Sequence, residues 1–150
     1  MPARHENLIA WQRADDLFIS VHLLTQAHFP HEERFGLTSQ IRRAAYSVPA
    51  NIVEGFSRLH KRERLQFLQI AWSSLQEVGY CLHAARRLGF LDVAAYDEYG
   101  TAMRRVAAPL AGLIKSQRLG GSAGIHTEGG NWPAFSPSLP FLPSPPFSPS

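Results

Sequence analysis

Arg43, Ser47, Asn51, Glu54 and Arg58 recur at spacings of three and four within the run GLTSQIRRAAYSVPANIVEGFSR, residues 36–58. On a helix turning about 100° per residue they form one narrow polar stripe. It holds two guanidiniums, a hydroxyl, an amide and a carboxylate, a set able to bind a ligand or to brace a structure. Pro49 lies inside the run and bears on that choice. A proline within a helix offers no N–H to the carbonyl four residues back, here Ala45, and its ring pushes that carbonyl aside. The displaced carbonyl needs a donor. The Ser47 hydroxyl and the Asn51 amide are the local candidates, and Glu54 can pair with Arg58 at i,i+4. The expectation is a structural network around a kink, made by Arg43, Ser47, Pro49, Asn51, Glu54 and Arg58, with a binding site at the kink as the competing reading. A fresh helix capped by Ser47, with Pro49 in its first turn, stays open as an alternative.

Other chemistry-bearing residues do not assemble. The seven histidines include no H-E-x-x-H and no E-x-x-H pair, and His28 and His31 straddle Phe29-Pro30. Cys81 is the one cysteine. It falls on the core side of its helix, and His83, two residues on, points roughly the opposite way, a poor geometry for a nucleophile and its base. GGSAG precedes no helix and so makes no phosphate loop. The reading is a protein with no catalytic residues, no metal and no cofactor.

Four apolar-periodic segments must position these residues. They run from about Leu8 to His28, Gly36 to Arg58, Arg62 to Leu88 and Asp92 to Leu119. Phe29-Pro30 ends the first, Gly89 the third, and Asp92 caps the fourth. The apolar phase of Leu37, Ile41, Ala44, Val48, Ile52 and Gly55 continues across Pro49, which favours one kinked helix. Short loops favour antiparallel neighbours, and no alternation supports a strand. The fold expected is all-α: an antiparallel up-and-down four-helix bundle over residues 1–120. The early charges of MPARHENLIAWQRADD do not suit a signal peptide and no segment is long enough to span a membrane. With a single cysteine, the expectation is a cytoplasmic protein.

Residues 121–150 change character. A Gly-rich linker leads to WPAFSPSLPFLPSPPFSPS, with Phe135, Phe141 and Phe147 every sixth residue. Such a segment favours extended polyproline II geometry, and the expectation is a disordered Pro/Ser-rich tail. Docking through its P-x-x-P spacings is the competing use, weakened by the lack of a flanking cation.

Two further patterns point to partners. Tyr46, Pro49 and Val53 share a second face of the second helix, and Leu65, Leu68, Trp72, Leu75 and Gly79 a second apolar set on the third. Spare apolar faces point to subunit contacts, with Tyr46, Val53, Leu65, Leu68 and Trp72 as the candidates. The chain carries 15 Lys+Arg against 12 Asp+Glu, and the cations, mostly arginine, suit forked contacts to phosphate. Arg42, Arg62, Arg64, Arg86, Arg87, Arg104, Arg105 and Lys115 are the candidate nucleic-acid contacts, Arg42 being read as the outward-facing member of its helix. Scattered solubilising charge is the competing reading.

The central block, together with FLQIAWSSLQEV (67–78) and RRLGFL (86–91), resembles a bacterial family of four-helix-bundle proteins encoded in intervening sequences of 23S ribosomal RNA genes. The likeness runs from about Leu8 to Leu119. It implies an antiparallel bundle that assembles as a ring-like pentamer. It also brings in a distant relative, the accessory protein of diversity-generating retroelements, a basic pentamer that works with a reverse transcriptase and RNA. No catalytic residues come with the resemblance, and the tail lies outside it. The functional expectation is a non-enzymatic homo-oligomeric scaffold for RNA, DNA or a partner such as a reverse transcriptase. The alternative is a self-assembling protein-interaction module with no nucleic-acid role.

Overall fold

The computed structural model describes His5 and residues 8–119; the expected tail lies outside the described residues. Four helices follow in order: α1 (Ile9–His28), α2 (Leu37–Ser57), α3 (Lys61–Arg87) and α4 (Val93–Leu119), with a short 3-10 turn at His31–Phe35 between α1 and α2. No strand occurs among the described residues, and no helix among them is long and apolar enough to cross a membrane.

The helix ends follow from local chemistry. Extended backbone at Phe29 stops α1 ahead of Pro30. The N–H groups opening α2 gain an acceptor from upstream, as the Glu33 carboxylate takes the Leu37 N–H at 2.9 Å. α3 ends on Gly89 at φ 81°. There the Phe90 and Gly89 N–H groups return to the carbonyls of Ala85 and Arg86, at 2.9 and 3.0 Å. This αL closure costs a glycine little and other residues more. Asp92 caps α4 by accepting the Ala95 N–H at 2.8 Å. α2 runs unbroken through Pro49, so Ser47 lies within it and does not start a new helix.

The helices form a closed cycle of neighbours: α1 on α2, α2 on α3, α3 on α4, α4 back on α1. Cross-helix contacts step in opposite senses along each pair. Thr25 meets Arg42 while Phe18 meets Tyr46; Ser47 meets Ser74 while Gly55 abuts Arg64; Arg64 meets Gln117 while Arg86 covers Tyr96; Arg13 meets Arg105 while Ser20 meets Tyr99. The core between them holds Leu17, Val21, Ile41, Val48, Ile52, Leu68, Leu75, Val78, Leu82, Val106 and Leu110, all essentially inaccessible.

One expectation about α3 is corrected here. Its two apolar sets are not a core face and a spare face. Leu68, Leu75 and Gly79 of the second set are buried beside Ala71, Ser74, Val78, Leu82 and Ala85 of the first. α3 packs against two neighbours, α2 and α4, so its buried stripe spans both directions.

Candidate nucleic-acid interface and subunit faces

The polar stripe of α2 is a bridge to α3. Asn51 Nδ2 donates to the Ser47 carbonyl at 2.7 Å and to Ser47 Oγ at 2.8 Å. Ser74 Oγ, from α3, donates to Ser47 Oγ at 2.8 Å. The Asn51 amide therefore serves Ser47 and not, as expected, the Ala45 carbonyl released by Pro49. Glu54 pairs with Arg58 one turn on, and the Arg58 guanidinium lies over the Phe67 ring of α3, 5.0 Å from its centroid. Arg43 is exposed and joins none of these bonds. Beside this bridge, on the outer side of α3, lies a shallow groove of about 420 Å³ lined by Gln66, Gln69, Ile70, Ser73, Ser74 and Glu77.

The eight candidate phosphate contacts do not share one surface. Arg62 and Arg86 are 24 residues apart on α3, about 36 Å at helical rise. Arg42 is turned inward onto α1: its Nε donates to Thr25 Oγ1 at 2.8 Å, and its Nη2 lies 3.5 Å from the His22 carbonyl. It ties two helices and is not the outward contact expected. Arg64 is likewise spent on structure. It donates to the Arg58 carbonyl at 3.1 Å and to Gln117 at 3.4 Å, and stacks over Phe56. Arg86 covers the Tyr96 ring, and Arg104 binds Thr101 of its own helix at 3.0 Å. Arg62, Arg87, Arg105 and Lys115 are exposed.

Charge is nevertheless sorted along the bundle. At the end where α2 passes into α3 and α4 finishes stand Arg58, Lys61, Arg62, Arg64, Lys115 and Arg118, with Glu54 and Glu63 as the acids of these segments among the described residues. The Arg64–Gln117 bond joins these segments. At the far end, where Phe29 touches Phe90 with ring centroids 5.7 Å apart, the turns and the adjoining ends of α3 and α4 carry Glu32, Glu33, Asp92, Asp97 and Glu98 against Arg34, Arg86 and Arg87. The first end is basic and the second acidic. The sequence signal for this was present in the two flanking runs RLHKRER (58–64) and KSQR (115–118), but only the bundle brings them together.

The candidate subunit contacts separate too. Tyr46 is 59% exposed and packs edge-on against Phe18 at 5.7 Å, on the α1–α2 side, and Val53 is half-buried on the same helix. Leu65 and Trp72 are partly buried on α3. Leu68 is 0% exposed and has no surface to offer another subunit; it belongs to the core. Sequence reading also missed the ties between α1 and α4. Arg13 Nη1 donates to the Arg105 carbonyl at 2.9 Å, and the Tyr99 hydroxyl to the Ser20 carbonyl at 3.1 Å. Neither has a local signal, since each joins residues far apart in the chain.

Burial, with the Glu77 carboxylate as the lesser cause, pushes the Cys81 thiol up to about 11. A thiol so shifted stays protonated and is a poor nucleophile at neutral pH. Burial, then Glu98, also raises the Tyr99 phenol above its ordinary value. No group of three or more His, Cys, Asp or Glu among the described residues is placed to hold a metal ion.

Three comparisons bear on this architecture. No curated protein matches the chain. Among solved structures, one from Bacteroides thetaiotaomicron, a protein with unknown function from the S23 ribosomal protein family, superposes with a TM-score of 0.66. It is 20% identical, covers 71% of this chain and is itself covered to 99%, a likeness that shows the helical fold. The family described as 23S rRNA-intervening sequence protein matches residues 6–112, which takes in all of α1, α2 and α3 and most of α4. The chain belongs to the 23S rRNA-intervening sequence protein family.

Proposed function

We propose that this protein is a non-enzymatic, homo-oligomeric antiparallel helical bundle that binds nucleic acid through its basic end. The observation that carries the reading is the sorting of charge between the two ends of the bundle. Lys61, Arg62, Lys115 and Arg118 are exposed at one end and make no hydrogen bond or ion pair among the described residues, whereas Arg58 and Arg64 there are engaged. Four free cations per subunit suit the phosphate backbone, whose binding releases counterions. The family's description points to a structured fragment of 23S ribosomal RNA as the first ligand to try.

Assembly is the second part of the proposal. Tyr46 with Val53, and Leu65 with Trp72, lie on different sides of the bundle. Two unlike patches suit a head-to-tail ring, which closes by repeating one heterologous contact, and five subunits is the number that the resemblance implies. In a ring with bundles side by side the basic ends gather on one rim. A nucleic-acid-processing partner such as a reverse transcriptase would then meet the bound strand there.

The test is RNA binding by the full chain at several salt concentrations. Affinity is expected to fall steeply, with a log–log slope of about −3 or steeper for four or more neutralised phosphates. Lys61→Glu with Arg62→Glu should abolish binding, while Arg86→Glu with Arg87→Glu at the far end should leave it largely intact. Absence of binding at low salt, or equal loss from both pairs, would overturn the basic-end assignment. Sedimentation of the same samples reads the subunit number, and a monomer would remove the ring.

A further inference from the structure

The turn from α2 to α3 carries Leu59 at its tip. Leu59 is 91% exposed, more than any other large hydrophobic side chain among the described residues. The backbone around it is held in place. Arg64, in the first turn of α3, serves the carbonyls on both sides of Leu59. Its Nη2 donates to the Arg58 carbonyl at 3.1 Å and its backbone N–H to the His60 carbonyl at 3.1 Å. The Arg58 N–H in turn donates to the Gly55 carbonyl at 3.2 Å. Both guanidiniums lie on rings of the bundle, Arg64 over Phe56 and Arg58 over Phe67. Leu59 therefore stands out from a braced turn.

The neighbours of Leu59 decide what it can meet. His60 beside it is exposed, and its side chain makes no hydrogen bond or ring contact among the described residues. Lys61 and Arg62 follow, both exposed, and Ser57 and Glu63 are the exposed residues on either side. The tip thus sets an apolar side chain and a planar ring next to two of the free cations. Phosphate contacts use the cations and gain nothing from a leucine. Base faces are the apolar part of a nucleic acid, and a leucine wedge or a histidine ring can lie against them. In a continuous duplex those faces are stacked on one another. They open at bulges, loops and strand ends.

We infer that Leu59 and His60 receive an unpaired base of the nucleic acid held at the basic end, so that the ligand is RNA with unstacked bases and not an unbroken duplex. Lys61 and Arg62 hold the adjoining phosphates while Leu59 lies against the base face. The inference rests on nucleic-acid binding at the basic end and names the class of ligand. A lipid surface would use the same cations, but one leucine and one imidazole bury too little apolar area to hold a protein on a bilayer. Phe35, 84% exposed at the acidic end, is the contrast. Arg34 covers its ring at 4.6 Å from the centroid, and Glu32 and Glu33 precede it.

Binding of the full chain to two RNA stems of equal phosphate number tests it, one fully paired and one with a bulge of unpaired bases. The parent should prefer the bulged stem. Leu59→Ser with His60→Ser should weaken that complex about tenfold or more, to the level of the paired stem, with the salt slope unchanged. Lys61→Ala should instead weaken both complexes and reduce the slope by about one. Phe35→Ser should bind as the parent does. Circular dichroism checks that each variant folds, with Leu59→Ala alone as the milder replacement and a smaller loss of the same kind. Equal affinity of the parent for the two stems, or an undiminished complex with the Leu59 and His60 variant, would overturn the inference and leave the basic-end reading in place. No binding of either stem at low salt would overturn both. Flotation of the parent, but not of the double variant, on phosphatidylserine vesicles would assign the tip to a lipid surface and overturn the inference.

Discussion

The seam between α2 and α3 and the seam between α1 and α4 are closed by different means. Across α2–α3 the backbones come close. A Cβ placed on Gly55 would stand 3.2 Å from the Arg64 carbonyl oxygen and 3.2 Å from Phe67 Cβ. The polar bridge there joins short side chains, Ser74 to Ser47 to Asn51. Across α1–α4 the ties are long side chains reaching to backbone carbonyls, Arg13 to Arg105 and Tyr99 to Ser20. A carbonyl acceptor is available at every residue, and a long side chain can shift to find one. A glycine contact and a serine–serine bond have no such latitude. Side-chain identity should therefore matter more at the first seam than at the second.

The largest effect is expected at the buried face of α3. Leu68→Ala should lower unfolding free energy by about 2–5 kcal/mol, as for other buried leucines, read from urea denaturation. Its sedimentation should match the parent, because Leu68 has no exposed surface. Next comes a pair of glycines. Gly55→Leu should cost about 1–3 kcal/mol by overpacking against backbone that cannot move aside. Gly112→Ala on α4, where an added Cβ meets nothing within 4 Å, should gain about 0.5–1 kcal/mol from helix propensity. Equal losses at both glycines would erase the distinction between a tight seam and a tolerant surface.

What could be read from the sequence follows the reach of each interaction. Helix ends were legible because Phe29-Pro30, Gly89 and Asp92 act on their own neighbours. Glu54–Arg58 was legible because both partners lie on one helix, one turn apart. The shared stripe of Ser47 and Asn51 was legible for the same reason. Their bond to each other was not, since the expected acceptor was the Ala45 carbonyl, and the Ser74 half of the bridge depends on the register of α3 against α2. The arginines were the least legible. A guanidinium on three methylenes can face solvent or fold back on a neighbouring helix, as Arg42 and Arg64 do, and helical phase alone does not decide which. The same holds for the charge sorting, which appears only when residues 58–64 and 115–118 are brought to one end.

Smaller changes refine the comparison of seams. Ser74→Ala removes a largely buried donor and should cost about 1–2 kcal/mol, while Tyr99→Phe should cost about 0.5–1 kcal/mol, because the Ser20 carbonyl can take water in its place. The two seams also carry one alkaline-titrating group each, Cys81 on α3 and Tyr99 on α4, both raised chiefly by burial. A raised pKa means that the fold favours the protonated form. That contribution is complete below the ordinary thiol value of 9.0 and is lost as pH climbs towards about 11. Melting temperature should therefore decline across this window, and Cys81→Ala should make the decline shallower. Tyr99→Phe should flatten it less, and only above the ordinary phenol value of 10.0, since Tyr99 is partly exposed and water can stabilise its phenolate. If the melting curve of Cys81→Ala ran parallel to that of the parent through this range, burial at α3 would not be tight enough to hold the thiol protonated, and the contrast between the two seams would rest on packing alone.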